Sequence, residues 1–313
     1  MISFIIIGRN EGKHLDKCFN SLRTAVKENF IKEIEIIYVD SNSSDNSIEI
    51  AKNHNVDKII LLTEIWNAAI GRNIGAKQAK GDVFCFLDGD MEIQSDFLPL
   101  VITPDGELKY NLVSGNVKQI YYNEFNEIVN EELAYKGVNG TIHKPISGGA
   151  FIINSKFYTD LEGMDNRFRR AADPELGLRL AKKGLLLVFL PEPFVKHHTL
   201  LPVPPKINNL FKCGWLFGNL LMYKVNLWNK YTYKRMLSHD STLIVLFFSL
   251  ILGIFINMWL LLFYPASLFL RVKKKSRIQK RHFIFFYLIR NILVLILFIP
   301  YHKRTIKTEN IPH

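Results

Sequence analysis

Apolar runs and helix-periodic stretches alternate along the first hundred residues. Ile2–Ile7 is an unbroken apolar run suited to a strand covered on both faces, and Leu15, Cys18, Phe19 and Leu22 then recur at helical spacing. Ile34–Val39 predicts a second strand, with a helical pattern from Ile48. Ile59–Leu62 predicts a third strand, Trp66–Lys80 a helix, and Val83–Leu87 a fourth strand just past Gly81. Polar loops follow the strands: Gly8–Gly12, Asp40–Ser47, and Asp88, Gly89 and Asp90. Strand alternating with helix, with apolar strands ending in polar loops, predicts an α/β fold with a largely parallel sheet flanked by helices.

The alternation loosens from about residue 105. Val113–Tyr122 predicts a strand, Glu124–Tyr135 is polar and helix-compatible, and the Gly148–Ile153 stretch is a strand led by two glycines. Pro174–Lys183 predicts a helix stopped by Gly184, and Leu185–Leu190 a further strand. Pro191, Pro193, Pro202, Pro204 and Pro205 then mark a linker, which places the end of the first domain near residue 200.

The remainder has a different pattern. Ile207–Val225 mixes Phe211, Trp215, Leu216, Phe217, Leu220 and Leu221 with Lys206, Lys212 and Lys224, as a helix lying in a membrane interface or packed on a domain would. Thr242–Leu270 is almost pure hydrocarbon, and Phe283–Pro300 is a second apolar run broken by Arg290 and Asn291. A crossing needs about 20 apolar residues, so the first run qualifies as a span and the second is borderline. The expected organisation is a domain over 1–200, a linker with an interfacial helix over 201–240, and membrane segments with a basic loop and tail over 241–313.

Charge sharpens this division. The net charge of the 313 residues is +11, yet residues 1–200 hold 23 basic and 27 acidic side chains, against 17 and 2 in residues 201–313. Basic clusters beside long apolar runs point to anionic lipid headgroups rather than nucleic acid. Seven Lys and Arg fill the loop Arg271–His282, and further basic clusters precede Thr242 and follow Pro300. The positive-inside tendency wants all three on the cytoplasmic face, whereas two ordinary spans would send the middle one across. A re-entrant first segment, bent near Gly253 or Pro265, keeps it inside. So does a second segment lying in the interface with Arg290 snorkelling. The expected location is the cell membrane, with the catalytic domain cytoplasmic. Cys18, Cys85 and Cys213 are widely spaced and odd in number, which suggests a reducing compartment and no disulfide framework. Ile2–Ile7 is too short for a signal-peptide core and has no basic run before it.

Candidate chemistry collects at the strand ends. Asp88 and Asp90, with Gly89 between them, close the fourth predicted strand. Two carboxylates there suit a divalent cation such as Mg2+ or Mn2+ that carries a diphosphate, although a polar turn explains the same three residues. Asp40 closes the second strand, and Ser43, Ser44 and Asp45 supply caps for the helix after it. That leaves Asp40 to accept hydrogen bonds from a base or ribose. Gly148 and Gly149, after Ser147, would let a substrate approach the backbone, or would form a tight turn. Asp173 followed by Pro174 has the form of a helix N-cap with proline at the first helical position, and on sequence alone that explains it better than a general base does. His197 and His198 offer imidazole to a metal shell, or are structural.

Five blocks carry a family resemblance: ISFIIIGRNEGKHLDKCFNSL, DSNSSDNS, AAIGRNIGAKQAKGDVFCFLDGD, ISGGAFIINS and GMDNRFRRAADPELGLRLAKKG. Over about residues 1–198 they resemble, in order, family 2 glycosyltransferases of the GT-A fold, a Rossmann-like mixed sheet flanked by helices. The resemblance implies an inverting, divalent-metal-dependent transfer from a nucleotide-diphosphate sugar, a UDP-sugar by family habit. It places Gly8, Glu11 and Asp40 beside the base and Arg72 on the diphosphate side. Asp88 reaches the ribose or metal, Asp90 holds the metal, Asp173 is the base and His197 a further metal contact. The family often has Glu-Asp where this chain has Ala172 and Asp173, and the Gln-x-x-Arg-Trp signature of processive synthases is absent. Single additions to a lipid-linked or membrane-proximal glycan are therefore expected, as in cell-envelope polysaccharide synthesis. Transfer straight onto polyprenyl phosphate is the alternative, with Arg167, Arg169, Arg170 or Lys206 at the lipid phosphate. A nucleotidyltransferase would carry a better Gly-rich loop than Gly8–Gly12, and a non-catalytic scaffold would not need Asp88, Asp90 and Asp173.

Overall fold

The Ile2–Gly8 strand (β1) sits at the middle of the sheet, between Ile34–Asp40 (β2) and Val83–Asp88 (β4), parallel to both. The computed structural model describes residues 1–64, 67–103, 105–145, 148–201, 218–273, 284, 287, 288, 291 and 308–311. Lys58–Leu62 (β3) extends the parallel run beyond β2. The first helices are Leu15–Glu28 (α1), Ser47–Asn53 (α2) and Ala68–Gln78 (α3). Leu15, Cys18, Phe19, Leu22 and Ala25 form the buried stripe of α1, as their spacing requires. β1 and β4 are almost wholly buried, which is why they carry unbroken apolar runs instead of an alternating pattern.

Beyond β4 the sheet becomes mixed. Met91–Ile93 (β5) and the short helix Leu98–Val101 (α4) precede a long strand, Leu112–Tyr122 (β6). Ile128–Leu133 (β7), Ile142–Lys144 (β8), Phe151–Asn154 (β9), Ser155–Thr159 (α5), Ala172–Lys182 (α6) and Leu187–Leu200 (β10) follow. Among the described residues the strand order is β11-β3-β2-β1-β4-β9-β6-β10-β5, where β11 is Thr308–Ile311, antiparallel to β3. β9 runs antiparallel to β4 and β6, and β10 parallel to β6. The fold is thus a mixed α/β sheet flanked by helices.

Four expectations change. Glu124–Tyr135 is not helical. The Asn123 side chain accepts from the backbone N–H of Phe125 and Glu127 at 3.0 and 2.9 Å, Asn126 takes a left-handed φ of 64°, and β7 returns along β6 as a hairpin. The strand expected over Leu185–Leu190 continues to Leu200. It absorbs Pro191 and Pro193 at register shifts and carries His197 and His198 within the sheet, not in a linker. Asp173 is not an N-cap: α6 starts at Ala172, after Ala171 at φ 64°, and no side chain caps it. Thr242–Leu270 is not one span, since the longest apolar helix within it has 15 residues, and no single described helix is long and apolar enough to cross a membrane.

The chain divides into two units, Met1–Pro202 with Lys303–His313, and Val203–His302. In the second, Gly218–Val225 (α7), Lys230–His239 (α8), Ser241–Phe255 (α9) and Phe263–Val272 (α10) are helical, with a 3-10 turn at Met258–Leu262 between the last two. Trp66, Ser147, Pro202–Pro205, Lys206, residues 207–217 with Cys213, residues 274–282, and the 283–300 run apart from four positions lie outside the described residues.

Candidate active site

Three parallel strand ends form the floor of the site. In register, Gly8 of β1 pairs with Asp40 of β2, and Ile7 pairs with Asp88 of β4. Strands about 4.8 Å apart therefore set Asp40, Gly8 and Asp88 in one row at their C-terminal edge, the position where open α/β sheets bind ligands.

Arg72 organises one half of the site. It lies on α3, fully buried, and its guanidinium donates to Asp88 Oδ1 at 2.6 Å, to the Gly149 carbonyl at 3.1 Å and to Asp173 Oδ1 at 3.2 Å. A charge so enclosed is tolerated because carboxylates face it. Burial works against the guanidinium charge, but Asp88 and Asp173 outweigh it and hold the pKa above the usual arginine range. Gly149 permits this arrangement: a Cβ there would stand 2.8 Å from Asp88 Oδ2. Gly148 has open space around it.

Asp90 organises the other half. Its Oδ2 lies 3.1 Å from His197 Nε2, while its Oδ1 is buried with no hydrogen-bond partner. His197 Nδ1 meets Gln119 Oε1 at 2.9 Å across the β6–β10 pairing. An amide oxygen and a carboxylate both only accept, so Nδ1 donates to Gln119 and the contact with Asp90 is a hydrogen bond donated by a protonated Nε2. Burial lowers the imidazole pKa, but the hydrogen bond and charge of Asp90 outweigh it and the net shift is upward. Glu11 packs over Gly89, where a Cβ would come 3.2 Å from its side chain, and burial followed by the charges of Asp90 and Asp88 pushes its carboxyl up to about 7. Burial, opposed by Arg72 and reinforced by Asp90 and Asp173, also raises the Asp88 carboxyl. The outer part of Asp88 stays open, with 32 % of its side-chain surface exposed.

Glu11, Asp88 and Asp90 thus concentrate negative charge around one orphaned oxygen, a donor set suited to a hard divalent cation. Among the described residues no three His, Cys, Asp or Glu side chains form a ready-made cage. The fit is that of a cation held by Asp90 and His197 and completed by ligand oxygens, as Mg2+ is commonly bound with substrate phosphates.

Asp40 sits differently from what its strand end suggested, and Arg72 faces partners other than the diphosphate that the resemblance implied. Asp40 has no exposed surface. It accepts from the Tyr38 hydroxyl at 3.1 Å and from the Ser43 backbone at 2.7 Å, so it shapes its own loop instead of standing free. The expected caps are differently arranged too, for Asp45 accepts from Ser47 and from the Gly12 N–H at 2.9 Å. Arg72 turns its arms to carboxylates. The Gly8–Gly12 loop has the N–H groups of Asn10, Glu11 and Gly12 tied to Ser43, Ser47 and Asp45, and these are not available as a phosphate cradle.

Sequence reasoning missed a second histidine cluster. His198, on the opposite face of β10, meets Glu92 Oε1 at 2.5 Å and the Tyr122 hydroxyl at 2.8 Å and stacks on His14 at 4.8 Å. The His pair signals it only through strand alternation, which sends neighbours to opposite faces. Gln119 was missed as well, because only the β6–β10 register brings it to His197.

The Glycosyl transferase family 2 model matches residues 3–160, half of the chain. The chain belongs to this family. GlyA of Streptococcus pneumoniae serotype 4, a glycosyltransferase, is 32% identical over 129 residues, 40% of this chain and 17% of GlyA. The uncharacterized glycosyltransferase YfnE of Bacillus subtilis is 27% identical over 126 residues, 38% of this chain and 32% of YfnE. The matched stretch therefore spans less than half the length of these curated relatives. Two solved structures share the fold. TarS 1-349 of S. aureus in complex with UDP-GlcNAc has a TM-score of 0.55 at 15% identity, covering 94% of this chain and 81% of that one. The mannosyltransferase PcManGT of Pyrobaculum calidifontis, in complex with GDP-Man and Mn2+, has a TM-score of 0.56 at 13% identity, covering 93% and 86%.

Proposed function

We propose that this family 2 chain transfers a sugar from a nucleotide-diphosphate sugar to a hydroxyl of a lipid-linked or membrane-proximal glycan, with inversion. The observation that carries the reading is the convergence of Asp88 and Asp173 on Arg72, beside Asp90 and His197, at one edge of the sheet. Fold relatives solved with UDP-GlcNAc and with GDP-Man and Mn2+ support the donor class and the cation. A UDP-sugar is favoured by the family resemblance.

In this reading Asp173 receives the proton of the acceptor hydroxyl as that oxygen attacks the anomeric carbon. The bond from that carbon to the diphosphate breaks on the opposite face and its electron pair leaves with the diphosphate, so one displacement inverts the centre. Arg72 fixes the Asp173 carboxylate in place and pins Asp88 beside it. Asp90 and His197 would hold Mn2+ or Mg2+, which when bound would offset the charge growing on the leaving diphosphate. Gly148 and Gly149 leave room for the sugar beside Asp88. Absence of the processive signature favours single additions.

Transfer onto polyprenyl phosphate is the weaker alternative. Of the side chains proposed for its lipid phosphate, Arg167 is occupied by a forked pair with Asp165. The deciding experiment is a thermal-shift screen of sugar nucleotides with and without Mn2+, followed by transfer from the radiolabelled hit into a membrane extract. Cation-dependent stabilisation and a glycosidic product that survives the mild acid and alkali cleaving sugar phosphates are expected. No stabilisation by any sugar nucleotide would sink the reading, and a labile sugar-phosphate product would replace it with the alternative.

A further inference from the structure

The second unit contains a helical hairpin whose two ends meet. Ser241–Leu270 is 30 residues without a charged side chain. α9 runs out along it, the chain reverses at Ile256 and Asn257, and α10 runs back. A Cβ on Gly253 would stand 2.7 Å from Leu261, so outgoing and returning arms are in contact near the reversal. At the other end Arg271 donates to Ser241 Oγ at 3.0 Å and to the His239 carbonyl. The residues that enter the apolar stretch and those that leave it are therefore side by side.

We propose that this hairpin enters one leaflet of a lipid bilayer and leaves from the same face, so that the chain is a monotopic membrane protein. Four observations select the lipid interior as the occupant. The first is the exposed apolar tip: Ile254, Phe255, Ile256, Met258 and Trp259 are each more than 70% exposed, Phe255 at 81%. A contiguous apolar surface of that kind on a soluble chain marks a contact site. Second, polar groups at the reversal and between the arms find partners within the chain. At the reversal, Ile256 and Asn257 donate to the Leu252 carbonyl at 2.9 and 3.1 Å, and the Trp259 N–H to the Asn257 side chain at 2.9 Å. Between the arms Asn291 donates to Tyr264 at 3.2 Å. Irregular backbone survives in hydrocarbon only when its N–H groups are paired.

Third, the base is basic and aromatic. α8 meets α9 at 95° and carries Lys230, Lys234 and Arg235, with Trp228 just before it and Tyr233 and Leu237 exposed. A helix lying in the headgroup plane beside a penetrating one has this composition. Fourth, length and topology agree. At 1.5 Å per residue the 15 residues of α9 reach about 22 Å, short of the roughly 30 Å hydrocarbon core. The chain leaves the catalytic unit after β10 and rejoins its sheet at β11, so the number of crossings between them is even. A single crossing by this stretch would put Arg271 on the far side from Ser241 and His239, which its hydrogen bonds contradict. Ser241–Leu270 therefore returns to the face from which it enters.

The inference deepens the membrane-proximal reading above and rests on it. The test uses the full chain with Cys213→Ser, carrying either Ser238→Cys or Lys273→Cys, in sealed inside-out and right-side-out membrane vesicles treated with an impermeant maleimide. Both positions are expected to label from the face on which protease digests the catalytic unit, and neither from the other. Labelling from opposite faces overturns the hairpin and leaves membrane-proximal transfer standing. In parallel, purified full chain is mixed with 3:1 phosphatidylcholine–phosphatidylglycerol vesicles with brominated acyl chains. Quenching of Trp emission is expected and should be largely lost in Trp259→Phe. The Ile254→Lys, Phe255→Lys double variant should bind these vesicles at least about tenfold less while still binding sugar nucleotide. Undiminished binding by that variant overturns the proposal, and so does a soluble oligomer that covers the tip without lipid. A chain that ignores vesicles altogether overturns both readings.

Discussion

Arg72 and Asp173, 101 positions apart in the chain, meet at 3.2 Å, and the same guanidinium holds Asp88 at 2.6 Å. One buried cation thus ties α3 to the first turn of α6 and to the end of β4. Removing it leaves two carboxylates facing each other in a part-buried site, and breaking such a pair commonly costs about 3–5 kcal/mol. Arg72→Ala should lower the unfolding temperature by roughly 6 °C or more. Arg72→Lys should recover part of the loss, because a point charge cannot serve Asp88, Asp173 and the Gly149 carbonyl at once. Melting curves of the three proteins check this, and an unchanged Arg72→Ala midpoint would contradict the hub.

Asp173→Asn keeps the shape and a hydrogen-bonding oxygen toward Arg72 while removing the base. Turnover should fall by about 100- to 10,000-fold, with sugar-nucleotide affinity within about twofold of the parent. Initial rates and equilibrium binding on the same preparations separate the two quantities. A variant that loses donor affinity instead would move Asp173 from proton transfer to donor binding.

The first four parallel strands were legible because each is an apolar run ending in a polar loop, and burial on both faces leaves a sequence little choice there. The mixed half was not. Ile128–Leu133 is polar enough to suit a helix, and what makes it a strand is its pairing with β6 beyond the Asn123 turn, a partner that the segment's own pattern does not show. Pro191 and Pro193 looked like the start of a linker because proline disrupts regular pairing, yet β10 accommodates them at bulges. The acidic residues of the site announced themselves at strand ends, but their partners did not. Tyr38 against Asp40, Gln119 behind His197 and the embrace of Arg72 all depend on register between distant segments.

Gln119 is a positioning residue for His197. Its oxygen accepts the Nδ1 proton at 2.9 Å and so aims Nε2 at Asp90. Partners of this kind behind a metal-binding histidine are typically worth 10- to 100-fold in metal affinity. Gln119→Leu should raise the Mn2+ concentration needed for half-maximal stabilisation by about that factor, and Gln119→Glu, which still accepts from Nδ1, should restore much of it. Cation titrations followed by thermal shift give the midpoints; equal midpoints for parent and Gln119→Leu would remove the role.

Glu11 makes stability depend on pH in the direction opposite to a salt-bridged carboxylate. Its pKa rises from 4.5 to about 7 in the folded chain, chiefly through burial and then through Asp90 and Asp88. Between those values the folded state keeps a proton that the unfolded chain has released, so stability falls as pH rises through the window. Below pH 4.5 both states are protonated and the penalty vanishes; above pH 7 it is fully present. Discounting for solvent screening at a partly open site, the cost is on the order of 1–2 kcal/mol. Glu11→Gln lacks the titration. In chelator its melting temperature relative to the parent should be near or below zero at pH 4.5 and climb to a gain of about 3–6 °C by pH 8. Asp88 and His197 titrate in both proteins, so the difference between the two curves reports Glu11 together with its charge coupling to them. Parallel curves from pH 4.5 to 8 would mean that Glu11 ionises as it would in water.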